Sequence, residues 1–235
     1  MEIFEKIFRA YDIRGIYGKD LTEEVAEEIG KAFGTYIGLG KNLLVGRDVR
    51  LSGEKLQTAL TKGLLSTGCH VKDLGIIPTP AFYFAIAHYA KDGGVIVTAS
   101  HNPPEWNGFK LCREEGIICA EGTGMEEIKE IALSRSYRSA SSGKLEKYDD
   151  NLEDYTNFVL DKVKIEKNLK VAVDLSNGVC SLIVPRLFRM AGAEVVAINA
   201  EPDGTFPAHR PEPTEETLKE LKKVVMKEEA DFGVG

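Results

Sequence analysis

The sequence predicts an α/β protein of two successive domains of similar plan, each with a mixed or mostly parallel sheet in a three-layer arrangement. One observation is that short apolar runs rich in β-branched residues alternate with segments of helical periodicity. Another is that this alternation starts again after a serine-rich stretch near residue 140. Strands that alternate with helices form parallel βαβ units with right-handed crossovers. The length of 235 residues suits one large domain or two smaller ones.

The strands and helices of the first half follow from this alternation. Three apolar segments are interpreted as core strands: the LLV of KNLLVGRDVR, CHVKDLGII and GGVIVTAS. A helix is predicted between the first two strands, with Ser52 as its N-cap and Gly68 as its stop. A second, largely buried helix follows in TPAFYFAIAHYAK, where Thr79 and Pro80 supply a cap and a first turn. The segment GFKLCREEGIICA predicts a hairpin closed over Glu114–Gly116, and GMEEIKEIALS predicts a further helix.

The composition of the chain changes at SRSYRSASSGK, which is rich in serine and basic residues. We interpret this stretch as a linker rather than a long surface connection. We therefore place the domains at 1–145 and 146–235. The second is predicted from a series of alternating helices and strands: NLEDYTNFVLDKV, LKVAVDL, SLIVPRLFRMAG, AEVVAIN and TEETLKELKKVVMKEE. The last residues, ADFGVG, resemble the beginning of a core strand. We expect the chain to be a portion of a longer protein that stops within its second domain.

Composition excludes several classes of protein. The net charge of −7 argues against a protein that binds a nucleic-acid backbone. No apolar run approaches the roughly 20 residues that a membrane span needs, and the N-terminus lacks the apolar region of a signal peptide. The four cysteines include no CxxC pair, so a zinc site is not expected. We expect a cytoplasmic protein without nucleic-acid or membrane partners, and the sequence leaves a homodimer open.

The stretch TASHNPPEWNGFK carries the strongest indication of function. Ser100 comes at the carboxyl end of a predicted core strand, which is where reacting groups gather in α/β sheets. Pro103 and Pro104 restrict the backbone of the loop, and Asn107-Gly108 predicts a tight turn. Lys110 follows on the returning segment, where it could approach the serine hydroxyl. These features predict a loop that presents Ser100 in one conformation.

A serine hydroxyl needs help from a base or a nearby positive charge to act as a nucleophile, and His101 and Lys110 are the candidates. Asn102 and the loop amides could hold an anion, because a phosphoryl group on Ser100 would add about −1.5 to −2 charges and strong acceptor oxygens. A rigid surface turn with no chemistry explains the same spacing equally well. The G-x-S-x-G elbow is excluded because no glycine flanks Ser100. The sequence also contains no Walker A loop and no GxGxxG.

Five segments together resemble one family. TASHNPPEWNGFK is similar to the phosphoserine loop of the α-D-phosphohexomutases, in their phosphomannomutase/phosphoglucomutase branch. FRAYDIRG at 8–15 and GRDVRLSG at 46–53 resemble two further signatures of that family, and VDLSNGV and PDGTFPAHRPEP resemble stretches of its second domain. Five matches in the right order across nearly the whole chain are far more specific than any single motif.

The resemblance implies roles for particular residues. Ser100 matches the serine that carries the transferable phosphoryl group, and Lys110 matches a lysine that assists proton transfer. The remaining matches are with loop neighbours of the serine and with residues that face the active-site cleft: His101, Asn102, Tyr11 and Arg14. Such groups suit phosphoryl transfer, which consists mostly of positioning and charge neutralisation.

The resemblance also implies an activity and its cofactors. The family interconverts hexose 1-phosphates and 6-phosphates through a hexose 1,6-bisphosphate, with Mg²⁺ bridging carboxylates and phosphate oxygens. Mannose and glucose phosphates are the expected substrates, with phosphoglucosamine as the alternative within the family. Only one metal ligand, a phosphate oxygen on Ser100, comes from this sequence, because the family's aspartate-rich loop is absent. We therefore expect the chain alone to be inactive.

Other interpretations of these residues stay open. A module that binds sugar phosphates or a partner without catalysis, and a serine hydrolase, are the alternatives from other classes. The residues alone favour a surface ion pair for Asp12 and Arg14. In GRDVRLSG, the charged side chains Arg47, Asp48 and Arg50 are interpreted as stabilising the turn before a helix. His209 and Arg210, which lie in a proline-rich loop, are interpreted as structural.

Overall fold

The computed structural model describes residues 2–148 and 151–235, which divide into two compact units. The first comprises Met1–Ala99 and Glu105–Asp149, and the second comprises Ser100–Pro104 and Asp150–Gly235. Each unit has its own sheet and its own hydrophobic core. The predicted fold class, two α/β domains of similar plan, is confirmed. No helix among the described residues is long and apolar enough to cross a membrane.

The first unit is built on a six-stranded sheet in the order β1-β5-β4-β2-β3-β6. Its strands are β1 (Ile13–Ile16), β2 (Asn42–Arg47), β3 (His70–Ile76), β4 (Gly93–Val97), β5 (Trp106–Arg113) and β6 (Leu145–Lys147). β2 pairs in parallel with β3 and β4, and β3 pairs in parallel with β6. β5 runs antiparallel to both β4 and β1. The sheet is therefore mixed, and its parallel part consists of the three strands predicted from the apolar runs together with β6.

Helices cover both faces of this sheet. They are α1 (Glu2–Ile7), α2 (Glu23–Ile37), α3 (Gly53–Ser66), α4 (Thr79–His88) and α5 (Met125–Ser134). Leu43 and Val45 of β2 belong to the core formed with α1, α2, α3 and α5. A Cβ on Gly94 of β4 would meet Phe82 and Ile86 of α4. Because successive strand residues point to opposite faces, α4 covers the second face and the unit has three layers.

Three local predictions for this unit need correction. Ser52 does not cap α3 through its side chain; its backbone is αR, and its hydroxyl accepts a hydrogen bond from the Asn107 amide instead. Thr79 is the first residue of α4 rather than its cap, although Pro80 does lie in the first turn. Asn107-Gly108 forms no turn, because both residues lie within β5. For Ser52 a contact distant in sequence overrides the local preference, and for Asn107-Gly108 the strand itself does so.

The serine-rich stretch follows the surface of the first unit. The amides of Ala140 and Gly143 donate to the carbonyls of Ser66 and Leu65 at the end of α3. The chain then enters β6, whose three exposed residues pair with β3. The stretch is therefore bonded to the first unit over most of its length and is not a free linker. The domain boundary at 145/146 stays a prediction.

The second unit has a three-stranded parallel sheet in the order β8-β7-β9. Its strands are β7 (Lys170–Asp174), β8 (Glu194–Ile198) and β9 (Phe232–Val234), and its helices are α6 (Asn151–Lys162), α7 (Val184–Met190) and α8 (Lys219–Lys227). Val171, Ala172 and Val173 of the central strand are fully buried in succession. Burial on both faces is typical of parallel strands between helices. The carboxyl ends of the three strands therefore lie at one edge of the sheet.

Candidate active site

The loop that carries Ser100 connects two antiparallel strands. β4 ends at Val97 and β5 begins at Trp106, and between them the Thr98 amide still donates to the Gly108 carbonyl, at 3.0 Å. Ser100 has a φ of +52°, in the left-handed region that residues with a side chain seldom adopt. Such conformations persist only where the surroundings impose them, and they cluster at functional sites. Ser100 therefore lies just beyond a core strand, as the sequence predicts.

Lys110 and Arg14 converge on one buried carboxylate. Asp12 Oδ2 lies 2.8 Å from Arg14 Nε and 3.3 Å from Lys110 Nζ. The Asp12 side chain is 4% exposed, so the pair with Arg14 is not the surface ion pair that the residues alone favoured. Two cations therefore face one buried carboxylate. This arrangement suits an anionic ligand such as a phosphoryl group.

Strand pairing explains why these residues meet. Arg14 of β1 is in register with Gly108 of β5, two residues before Lys110. A Cβ at Gly108 would lie 2.1 Å from the Ile13 carbonyl oxygen, so only glycine allows the two strands to approach this closely. Arg14 Nη1 in turn donates to the Ala99 carbonyl at 3.3 Å. The guanidinium is therefore bonded to the residue that immediately precedes Ser100.

The other predicted site residues differ in their surroundings. Tyr11 is 55% exposed, and its ring centroid lies 5.4 Å from Lys110 Nζ, within the range of a cation–π contact. Asn102 is half-buried. His101 is exposed, with its Nδ1 3.5 Å from Glu212 Oε2 within the second unit. The structure thus joins Tyr11, Arg14 and Lys110 in the first unit, whereas Ser100, His101 and Asn102 belong to the segment grouped with the second.

Sequence reasoning missed a buried ion pair in GRDVRLSG. The Arg50 side chain is fully buried, and its Nε lies 3.2 Å from Asp48 Oδ2. Burial raises the pKa of Asp48 and lowers the pKa of Arg50, because both charges are removed from water. The hydrogen bonds of this ion pair reach Thr98 and Trp106, at the two ends of the serine loop about 50 residues further along the chain. An ion-pair pattern of Asp-x-Arg before a helix was visible in the sequence, but its partners were not.

A second polar cluster occupies the carboxyl edge of the sheet in the second unit. His209 Nε2 lies 3.1 Å from Asp174 Oδ2, and His209 Nδ1 lies 2.8 Å from the Arg210 carbonyl. Burial lowers the pKa of His209, but the acceptors at Arg210 and Asp174 outweigh it, so the pKa is raised overall. Asp174 also accepts from the Asn199 amide at 3.0 Å. These contacts tie the loop around His209 to the end of β7.

The described residues form no cluster of three or more His, Cys, Asp or Glu side chains that could hold a metal ion. The set expected here, one phosphate oxygen on Ser100, is by itself too small for Mg²⁺, which needs near-octahedral oxygen coordination. The residues described therefore do not make a metal centre on their own.

Comparison with known proteins connects these elements to a family. Residues 5–139 match the family described as phosphoglucomutase/phosphomannomutase, alpha/beta/alpha domain I, and residues 146–235 match its alpha/beta/alpha domain II. The chain belongs to the phosphoglucomutase/phosphomannomutase family. The resemblance inferred from the five sequence segments is thereby confirmed, and relatives in this family are isomerases of sugar phosphates by name.

Individual members of the phosphoglucomutase/phosphomannomutase family are similar over nearly the whole chain. A phosphoglucomutase/phosphomannomutase of Thermococcus kodakarensis is 44% identical, and the match covers 97% of this chain and 52% of the relative. A phosphoglucosamine/phosphogalactosamine mutase of Sulfurisphaera tokodaii is 38% identical, with 97% and 52% covered. A solved phosphoglucomutase/phosphomannomutase family protein of Burkholderia thailandensis superposes with a TM-score of 0.89 at 36% identity, with 97% and 52% covered. The chain spans about half the length of these relatives.

Proposed function

We propose that the complete protein is a phosphohexomutase that interconverts hexose 1-phosphates and hexose 6-phosphates through phosphorylated Ser100. The observation that carries this proposal is that Arg14 and Lys110 both face one buried carboxylate, and that Arg14 also donates to the Ala99 carbonyl. The next residue is Ser100, in a left-handed conformation. A serine that directly follows a residue bonded to one of these cations suits the transfer of a dianionic group.

The reaction consists of two phosphoryl transfers in opposite directions. In the first, the bond between phosphorus and Ser100 Oγ breaks, and a bond forms between phosphorus and the free hydroxyl oxygen of the hexose phosphate. The hydroxyl proton leaves the sugar, and the serine oxygen takes up a proton. In the second, the other phosphoryl group of the 1,6-bisphosphate returns to Ser100 and the proton movements reverse.

Three residues of the first unit then have roles in this cycle. Lys110 is the candidate for moving the proton, because its contact with the buried Asp12 carboxylate holds its ammonium nitrogen in the cluster that contains Arg14. Arg14 orients and neutralises phosphoryl oxygens through its planar guanidinium. Tyr11, exposed beside Lys110, presents a ring face and a hydroxyl to a bound sugar. When bound to the complete protein, Mg²⁺ would supply charge neutralisation for the transferring group.

Mannose and glucose phosphates are the proposed substrates, and phosphoglucosamine is the second candidate. Relatives of comparable identity carry names with neutral sugars and with amino sugars. The loop motif EWNGFK favours the mannose/glucose branch, although a loop that contacts phosphate discriminates sugars only weakly. Parallel assays of the complete protein with glucose 1-phosphate, mannose 1-phosphate and glucosamine 1-phosphate distinguish the two candidates by their kcat/KM values.

Ser100→Ala in the complete protein tests the mechanism. We expect a loss of turnover by several orders of magnitude with an unchanged fold, because Ser100 follows a strand and is not a core residue. The matched control is Ser136→Ala, at an exposed serine of the same chain. Incubation with radiolabelled glucose 1,6-bisphosphate should label the wild type and the control on serine but leave Ser100→Ala unlabelled. Near-normal turnover in Ser100→Ala would refute the phosphoserine mechanism.

The 235-residue chain by itself is a second test. We expect no turnover above a matched Ser100→Ala chain, because the described residues form no metal cluster and the chain spans about half the length of its relatives. Binding of hexose phosphates by a chain that also fails to accept a phosphoryl group would favour the non-catalytic module instead.

A further inference from the structure

We propose that the buried Asp48–Arg50 ion pair is a positioning device that holds both ends of the loop carrying Ser100. The proposal rests on the proposed function, because it assigns these residues to the phosphoryl-transfer loop. Four hydrogen bonds from the turn that follows β2 support it, and they reach residues on both sides of the loop. All of them lie within the first unit.

Arg50 holds the end of the loop where β5 begins. Its Nη1 donates to the Trp106 carbonyl at 3.0 Å, while its Nε donates to Asp48 at 3.2 Å. Ser52 adds a contact at the same end, because its hydroxyl accepts from the Asn107 amide at 2.8 Å. The Arg50 side chain has no exposed surface, so its guanidinium plane is fixed by packing as well as by hydrogen bonds.

Asp48 holds the end where β4 stops. Its Oδ2 accepts from the Thr98 hydroxyl at 2.7 Å, and its backbone amide donates to the Val97 carbonyl at 3.0 Å. Its Oδ1 accepts from the Arg50 amide at 2.9 Å, which closes the turn on itself. One carboxylate and one guanidinium therefore connect Thr98 to Trp106, and the residues between these two anchors include Ser100.

Stability alone is a poor explanation for this pair. Removing two charges from water costs several kcal/mol per ion, and apolar residues of similar volume are often as stable or more so. Geometry is a better explanation, since phosphoryl transfer depends on alignment and a misplacement of about 1 Å can lower the rate about 100-fold. A planar guanidinium and a two-oxygen carboxylate fix direction as well as distance. The pair thus specifies the separation of the two loop ends.

Arg50→Lys and Arg50→Met in the complete protein test the proposal. Lysine keeps a positive charge but lacks the planar fork, and methionine lacks both. Both variants should therefore lose kcat by about 10- to 100-fold while KM changes little. Single-turnover transfer from labelled bisphosphate to Ser100 should slow by the same factor. Thr98→Val, which removes one hydrogen bond from the same network with little change in shape, is expected to have a smaller effect in the same direction.

The matched control is Arg186→Met, which removes an arginine that pairs with Glu153 at 2.7 Å on the surface of the second unit. Folded fraction is measured for every variant by thermal unfolding, and rates are expressed per folded molecule. If Arg50→Lys and Thr98→Val match the control in kcat per folded molecule, the pair is structural and the proposal is wrong. If Ser100→Ala retains activity, the proposed function fails whatever the Arg50 variants do. The two failures are therefore distinguishable.

Discussion

Gly108→Ala probes the geometry that brings β1 to the serine loop. The added Cβ would lie 2.1 Å from the Ile13 carbonyl oxygen and 3.0 Å from the Thr98 carbonyl oxygen, both of which are backbone atoms that cannot rotate away. Real Cβ atoms essentially never come within 3.0 Å of such neighbours, so β1 has to move away by about 0.9 Å, the difference between 3.0 and 2.1. Arg14 is in register with Gly108 and must move with it.

This displacement should affect activity more than stability. A shift of about 1 Å in a positioning group can cost about 100-fold in rate. Overpacking of this kind costs about 1–3 kcal/mol in the free energy of unfolding. For a unit of this size that lowers the melting temperature by roughly 2–12 °C. Gly108→Ala should therefore remain folded at 25 °C while losing most of its kcat/KM.

The assay is mutase turnover of the complete protein, measured beside the melting temperature. Gly53→Ala, at the start of α3, serves as the matched control, because its Cβ would come within 3.2 Å of the flexible Arg47 side chain and no nearer than an ordinary 3.7 Å to a backbone atom. If Gly108→Ala kept the kcat/KM of that control, the close approach of β1 and β5 would have no bearing on the site. Loss of turnover that merely tracks loss of folded protein would refute the geometric argument as well.

Two further substitutions test the charged clusters. Asp12→Asn removes the carboxylate that Lys110 and Arg14 share. Because a hydrogen bond to a charged group contributes about 1.5–3 kcal/mol, kcat/KM should fall by about ten- to a hundredfold. Asp12→Glu should recover part of the loss, and equal activity in both variants would contradict a role in positioning. The raised pKa of His209 means that its protonated form stabilises the folded protein, fully so below about pH 6.5 and decreasingly as the pH rises through the folded-state value. Thermal unfolding between pH 6 and 9 should therefore show a greater loss of stability for the wild type than for His209→Gln, and parallel curves would show that the imidazole makes no such contribution.

Much of the fold follows from local pattern. The apolar runs that become β2, β3 and β4 are short, β4 is rich in β-branched residues, and the segments between these strands have apolar residues at helical spacing, so parallel βαβ units were predictable. α2 was predictable too but was not predicted: Thr22 accepts a hydrogen bond from the Val25 amide, and acidic residues occupy its first turn. β1, of four residues, and β6, of three exposed residues, have no comparable signal. They join the sheet through backbone pairing that a sequence pattern does not encode.

Local preference was misleading where a distant partner competed for the same residue. Asn107-Gly108 has the composition of a tight turn, but the Asn107 amide bonds to Ser52 and Gly108 admits the Ile13 carbonyl. Ser52 has the composition of an N-cap, but its hydroxyl is occupied by that same amide. The partners in these contacts lie about 55 positions or more apart in sequence. Tertiary contacts therefore override the local turn and cap propensities.

The sequence by itself determined the fold class, the family and the position of Ser100 beyond a core strand, because apolar periodicity and contiguous motifs are local properties of a chain. Only the tertiary structure decided that Asp12 is buried between Lys110 and Arg14, and that Asp48 and Arg50 connect the two ends of the serine loop. The partners in these contacts lie up to 98 residues apart. Their charges meet because β1, β5, β4 and β2 lie side by side in the sheet, and burial then requires each charge to have a partner.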